Sequence, residues 1–267
     1  MDEALEIRAA RNAIPYGGGT DLMIKADPDA DYLFLENIEE LKRVYEDLEF
    51  IHFSAGCTFS ELLKNSLAPG ILKEALKGIA APAIRNFGTI GGNIANGSAK
   101  ADSALVFIAA DSKIKLQSVR GERVIPLKSF YLGRKRTALE KDEIATEVLM
   151  PKKWLNCCSY HKVGARKALA ISRISFAGFF SVEKGKIAHN AVAFGAVEDV
   201  FIRRPDLDEM LLGLTLEEAK KAKPKYLKAY EDAINPTEGR VSASYRKAVC
   251  LNLLGEFIDS MLKREYS

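Results

Sequence analysis

The sequence has no surplus of charge of either sign: 39 Lys and Arg stand against 36 Asp and Glu, a formal net charge of +3. With no long single-sign run either, nothing points to nucleic acid as a partner. No segment reaches the roughly 18 uninterrupted apolar residues of a spanning helix, so no membrane contact is expected. The opening Met1-Asp2-Glu3-Ala4-Leu5-Glu6 is acidic and lacks the basic and apolar regions of a secretory leader. Cysteine is scarce, and none of Cys57, Cys157, Cys158 and Cys250 forms C-x-x-C. The adjacent pair is poor geometry for two ligands of one metal. All four read as plain thiols of a reducing, cytoplasmic compartment, and no metal site is expected. The histidines, His52, His161 and His189, all fall in strand-like segments. No Ser-His-Asp or Cys-His set stands out, so no side chain is marked as acid, base or nucleophile. What is present is ordinary for a globular chain, with 48% hydrophobic and 28% charged residues. Its 267 residues make one large or two modest domains.

Periodicity places a short helix over Asp2 to Arg11 and a strand over Ala13 to Tyr16. Further short strands fall at Tyr32 to Leu35 and Phe50 to Ser54. Thr58 with Glu61 makes a capping box for the next helix, and Ile71 to Ile79 gives another, ended by Gly78 and the Ala81-Pro82 step. A helix over Ala104 to Ala110 is followed by an alternating strand from Lys113, a turn at Arg120 to Arg123, and a strand over Glu143 to Met150. Pro151 to Trp154 reads as a boundary. Beyond it, Ser159 to Val163, Ile174 to Val182 and Ile187 to Gly195 form an antiparallel meander, followed by helices over Leu214 to Ala233 and Ser244 to Lys263. The fold class is α+β. Without regular βαβ alternation in the first 150 residues, a doubly wound dinucleotide fold is not expected.

Two glycine-rich turns are the informative part. One is Tyr16-Gly17-Gly18-Gly19-Thr20-Asp21; the other runs from Ile84-Arg85-Asn86 through Gly88-Thr89-Ile90-Gly91-Gly92-Asn93 to Asn96-Gly97 and Asp102. Glycine at this density belongs where backbone comes very close to something. Neither turn carries G-x-G-x-x-G or G-x-x-x-x-G-K-[ST], so the dinucleotide and P-loop fingerprints are both missing. The expectation is free backbone N–H groups at Gly17 to Asp21 and again at Thr89 to Asn93, forming a concave site for pyrophosphate oxygens. Each run taken alone reads more readily as a surface turn, and the pyrophosphate site is an alternative that rests on the two together.

These residues resemble the FAD-binding medium subunit of the xanthine dehydrogenase family of molybdenum hydroxylases. The likeness rests on Gly17 to Leu22, Ile84 to Asn86, Thr89 to Asn96 and Asp102. It includes Asp142-Glu143-Ile144-Ala145, His161-Lys162 to Arg166, and Ser244-Tyr245-Arg246, and is closest to bacterial xanthine dehydrogenase flavin subunits. It implies a PCMH-type (vanillyl-alcohol-oxidase-like) FAD domain over 1–152, in two α/β lobes of about 1–50 and 51–152. A C-terminal α+β domain with an antiparallel sheet and helices would occupy 153–267.

The resemblance assigns Tyr16 to Leu22 and Thr89, Ile90, Gly91, Gly92, Asn93 and Asn96 to FAD binding. Asp102 would accept hydrogen bonds from the adenosine side of FAD, or else cap the helix that follows it. Ile79 would pack against the cofactor or belong to the core. Ile144 or Ala145 would offer backbone to the flavin edge, and Lys162 would lie near the isoalloxazine ring and favour the reduced form, unless it is a solvated strand lysine. Arg85 would be structural or a subunit contact. Against the family pattern, the chain begins inside the first helix, without the opening strand. It also has no cysteine-rich insertion for an extra cluster, and no histidine in the first turn to hold flavin covalently. The implied partners are a molybdenum-cofactor large subunit and a [2Fe–2S] small subunit, with NAD as possible acceptor in purine metabolism. Alternatives are a stand-alone flavin reductase, the flavin subunit of a CO, aldehyde or nicotinate dehydrogenase, or a non-catalytic nucleotide-binding module.

Overall fold

A computed structural model describes residues 1–264 and Tyr266. Helix α1 (Asp2–Arg11) carries Asp2 and Glu3 in its first turn and Arg8 and Arg11 in its last, as the helix dipole favours. Asn12, left-handed at φ 50°, closes it. Strand β1 (Ile14–Tyr16) then pairs in parallel with β2 (Tyr32–Phe34). Ala4, Leu5, Ala13, Leu33 and Ile144 make the small core of this first lobe. Two strands are marginal on their own. The buried Arg8 helps by donating to the carbonyls of Ala13 inside the lobe (2.7 Å) and Glu143 outside it (3.3 Å).

The second lobe begins with the hairpin β3 (Val44–Glu46) and β4 (Phe50–Ser54), closed by Asp47, whose carboxylate accepts the N–H groups of Glu49 and Phe50 at 2.8 and 2.7 Å. Strand β3 already belongs to the second sheet, a few residues ahead of the division expected at about residue 50. Four helices follow β4: α2 (Phe59–Lys64), α3 (Gly70–Lys77), α4 (Pro82–Arg85) and α5 (Ile90–Ala95). The Thr58–Glu61 capping box is present, with Thr58 N–H donating to Glu61 at 2.7 Å. Helix α6 (Asp102–Ala109) is buried along its whole length. After it come β5 (Lys113–Ser118), β6 (Gly121–Pro126), α7 (Leu127–Phe130), the ribbon β7 (Tyr131–Gly133) with β8 (Arg136–Thr137), and β9 (Ile144–Pro151). The five-stranded antiparallel sheet has the order β3-β4-β9-β5-β6.

The C-terminal part is a four-stranded antiparallel sheet, β10 (Cys158–Val163), β11 (Ile174–Glu183), β12 (Lys186–Gly195) and β13 (Ile202–Arg203), in sequence order. A short helix, α8 (Pro205–Asp208), leads to α9 (Leu216–Ala233) and α10 (Ala243–Leu262). Strand β11 is apolar on both faces because both faces are covered. Ala177 and Phe179 join the core of the five-stranded sheet, while Phe176 and Phe180 pack with Tyr226, Tyr230 and Phe257 of α9 and α10. Continuous apolar sequence is what a strand buried on two sides should show. The thiols Cys57, Cys157, Cys158 and Cys250 are free, and burial pushes Cys57 and Cys250 up to about 12, out of the reactive range. No helix among the described residues is long and apolar enough to cross a membrane.

Candidate functional site

The turn after β1 is open toward the surface. The N–H groups of Gly17, Gly18, Gly19, Thr20 and Asp21 have no acceptor among the described residues. Gly17 to Thr20 are half-buried and Asp21 is exposed, so these donors lie at the surface of the lobe. Gly19 is left-handed (φ 65°) and lies over the Tyr16 hydroxyl, where an added Cβ would stand 2.0 Å away. Tyr16 itself is braced by Phe34 at 4.7 Å between ring centroids. The turn is thus a rigid run of unspent donors, suited to an anionic ligand. Asp21 directs its carboxylate to Lys135 Nζ, 3.6 Å away, and makes no capping bond.

The second turn is built differently. Ile90 N–H donates to Cys57 O (3.0 Å), Gly91 to Ala55 O (2.8 Å), Gly92 to Thr89 Oγ1 (3.1 Å) and Asn93 to Thr89 O (3.0 Å). The expected second run of free N–H groups is therefore incorrect: these donors are used to start α5 and to bind the loop after β4. Only Thr89 N–H lacks a protein acceptor among the described residues. Its side chains are engaged as well. Ser103 donates to Asn93 Oδ1 at 2.7 Å, and Lys135 donates to Asn96 Oδ1 at 2.5 Å. Ile90 and Gly91 are buried.

The two turns meet. A Cβ on Gly18 would stand 1.6 Å from the Phe87 carbonyl oxygen, and one on Gly17 would stand 2.8 Å from Thr89 Oγ1. Part of the glycine requirement thus comes from one turn lying on the other. Lys135, which the sequence did not single out, reaches both through Asn96 and Asp21. Its hairpin carries no motif, and only the fold brings it here.

Asp102 is the first residue of α6, with Ala101 at the capping position, and makes no capping bond. The capping alternative is therefore incorrect. Its buried carboxylate accepts from Lys162 Nζ (2.7 Å) and Ser172 Oγ (2.6 Å). Lys162 also donates to Gly78 O at 2.8 Å, tying β10 to the end of α3 and the start of α6. It is no solvated strand lysine, since only 16% of its side chain is exposed. Burial and the neighbouring Asp102 push the Tyr160 hydroxyl well above its usual range. Arg85 holds the loop after α3, donating to Ile79 O (2.8 Å) and Ala80 O (2.7 Å), where Ala80 is left-handed at φ 46°. Ile79 is half-buried against the main core. Ile144 and Ala145 are buried at the end of β9 that runs past its pairing with β4, with Ile144 in the first lobe's core. Ser172 was not foreseen either, since it lies in the loop between β10 and β11, 70 residues from Asp102 in sequence.

The family described as FAD binding domain in molybdopterin dehydrogenase matches residues 1–153, and the CO dehydrogenase flavoprotein C-terminal domain matches 159–261. The chain is 30% identical over 245 residues to the nicotinate dehydrogenase FAD-subunit of Eubacterium barkeri, covering 86% of this chain and 81% of that protein. It is 32% identical over 198 residues to the xanthine dehydrogenase FAD-binding subunit of Escherichia coli O157:H7, covering 70% and 67%. Among solved structures, a Cu,Mo-CO dehydrogenase chain superposes with a TM-score of 0.88 at 25% identity, over 98% of this chain and 94% of that one. The chain belongs to the molybdopterin-dehydrogenase FAD-binding family, as an FAD-dependent oxidoreductase subunit of the xanthine dehydrogenase group.

Proposed function

We propose that this chain is the electron-transfer subunit of a heteromeric molybdenum hydroxylase acting on a purine or another N-heterocycle. The partners are a large subunit with the molybdenum cofactor and a small [2Fe–2S] subunit, in the cytoplasm. FAD, held non-covalently, would supply the redox chemistry that links the clusters to NAD or another acceptor. The observation that carries this reading is the run of unspent N–H groups at Gly17 to Asp21, pressed against the second turn. That run fits a pyrophosphate, whose oxygens would complete the donors the fold leaves open. The names of the two relatives given above support an N-heterocyclic substrate for the complex.

Each residue has a defined part in this reading. Gly17 to Leu22 hold the diphosphate by backbone, with Tyr16 bracing them from beneath. Thr89, Ile90, Gly91, Gly92, Asn93 and Asn96 form the opposite wall, acting by shape and through the Thr89 N–H. Asp102 fixes Lys162, and Lys162 presents a positioned cation whose field favours the reduced cofactor. Ile79 offers an apolar contact, and Ile144 and Ala145 offer backbone at the ring edge. No side chain here acts as acid or base.

Affinity purification of the chain from its native host tests the assembly. The expected result is a heteromer containing molybdenum and iron, with flavin released intact on denaturation. A chain that purifies alone with flavin but without either metal overturns the subunit reading.

A further inference from the structure

Arg246, in the first two turns of α10, is 8% exposed and forms no ion pair with any described residue. Its Nη1 donates to the carbonyls of Ala196 (3.0 Å) and Val197 (3.4 Å). The other edge of the guanidinium is unused: Nε is buried without an acceptor, and Nη2 faces the Gly239 backbone, where an added Cβ would stand 2.7 Å away. A buried cation without a counter-ion is costly. The positive end of the α10 dipole adds to that cost.

Further cations converge on it, and the backbone contacts show why. Ala196 N–H donates to Ala99 O at 2.7 Å, which brings Lys100 alongside. Lys135 N–H donates to Gly97 O at 3.0 Å, which places Arg134 next to the same segment. Arg240 follows Gly239 directly. Lys100, Arg134 and Arg240 likewise form no ion pair among the described residues. The Lys100 ammonium is held below its ordinary value, by partial burial first and then by Arg246, Arg134 and Arg240. The two carboxylates of the neighbouring loops are committed elsewhere. Glu198 accepts Asn235 N–H at 2.8 Å, and Glu238 accepts Ala243 N–H at 3.4 Å.

We propose that Arg246, ringed by Lys100, Arg134 and Arg240, is a binding site for a phosphate-type oxoanion, either free or carried on a nucleotide. The Nε–Nη2 edge of a guanidinium matches two oxygens of such a group. An oxoanion would supply the compensation that no ion pair among the described residues provides, to Arg246 and to the cations around it. A lone acidic side chain would meet one edge and leave the remaining cations uncompensated, so a dianion fits better.

The test is calorimetric titration of the FAD-loaded full chain, at fixed ionic strength in chloride, with inorganic phosphate and separately with ADP. Saturable binding of phosphate is expected, weakened at least about tenfold in the surface variant K100A/R134A/R240A, with flavin content unchanged. Arg246→Lys keeps the charge but lacks the two-nitrogen edge, and should weaken binding with flavin content unchanged. Tighter binding of ADP, with the same dependence on these residues, assigns the site to a nucleotide-borne phosphate. If neither ligand saturates, or the triple variant binds both like the parent, the proposal is wrong. Flavin absorbance is read in the same samples, so loss of FAD would count against the flavin site and not against this one.

Discussion

The two glycine turns have nearly the same composition and opposite uses. In the first, the N–H groups of Gly17 to Asp21 meet no acceptor among the described residues. In the second, the N–H groups of Ile90 to Asn93 are all spent, on Cys57, Ala55 and the side chain and carbonyl of Thr89. One turn is a set of donors held ready; the other is a structural joint that gives the first something to rest on. Glycine density marks a close approach but not what approaches. At Gly18 and Gly91 the approaching atoms belong to the chain itself, the Phe87 carbonyl and Ala55.

That contrast can be broken by substitution. The largest effect on FAD binding should come from Gly18→Ala, whose new Cβ would lie 1.6 Å from a backbone oxygen and force the turns apart. FAD affinity should fall at least about tenfold, while the far-ultraviolet spectrum stays native. Retained affinity would remove the first turn from the site. Lys162→Ala comes next, since it leaves the Asp102 carboxylate buried with Ser172 as its remaining side-chain partner. Breaking a buried pair in this way costs about 3–5 kcal/mol, read by urea unfolding. The flavin that remains bound should show a lower reduction potential, and an unchanged potential excludes the field assigned to Lys162.

Gly91→Ala strikes the joint. Its Cβ would meet Ala55 Cβ at 2.5 Å, so stability should drop by about 1–3 kcal/mol, equally with and without FAD. A drop seen only in the FAD-bound protein would mean that the second turn is a ligand site after all. Smallest is Thr89→Val, which removes the acceptor for Gly92 N–H at the start of α5 and should cost about 1 kcal/mol in thermal unfolding. No loss there would show that this cap contributes nothing.

Local features could be read from the sequence because their causes are local. The Thr58–Glu61 capping box needs three residues of spacing, and the doubly buried β11 announces itself by continuous apolar sequence. Strand β3 was not legible because it is only three residues long, and only pairing with β4 identifies it. Within the site, the first turn was readable as donors, since nothing nearby in sequence could satisfy them. The spent donors of the second turn were not, because Ala55 and Cys57 reach them through the fold. Asp102 invited a capping role by position alone, and its true partners, Lys162 and Ser172, are brought to it by β10 and the loop that follows. Lys135 was missed for the same reason. Long-range pairing is a property of topology, and short motifs do not encode it.

Backbone hydrogen exchange, residue by residue with and without FAD, addresses the central claim most directly. The amides of Gly17 to Asp21 should exchange freely in the FAD-free chain and become protected when FAD binds, whereas those of Ile90 to Asn93 should be protected in both states. Equal exchange at Gly17 to Asp21 in the two states would contradict the assignment of these donors to the cofactor.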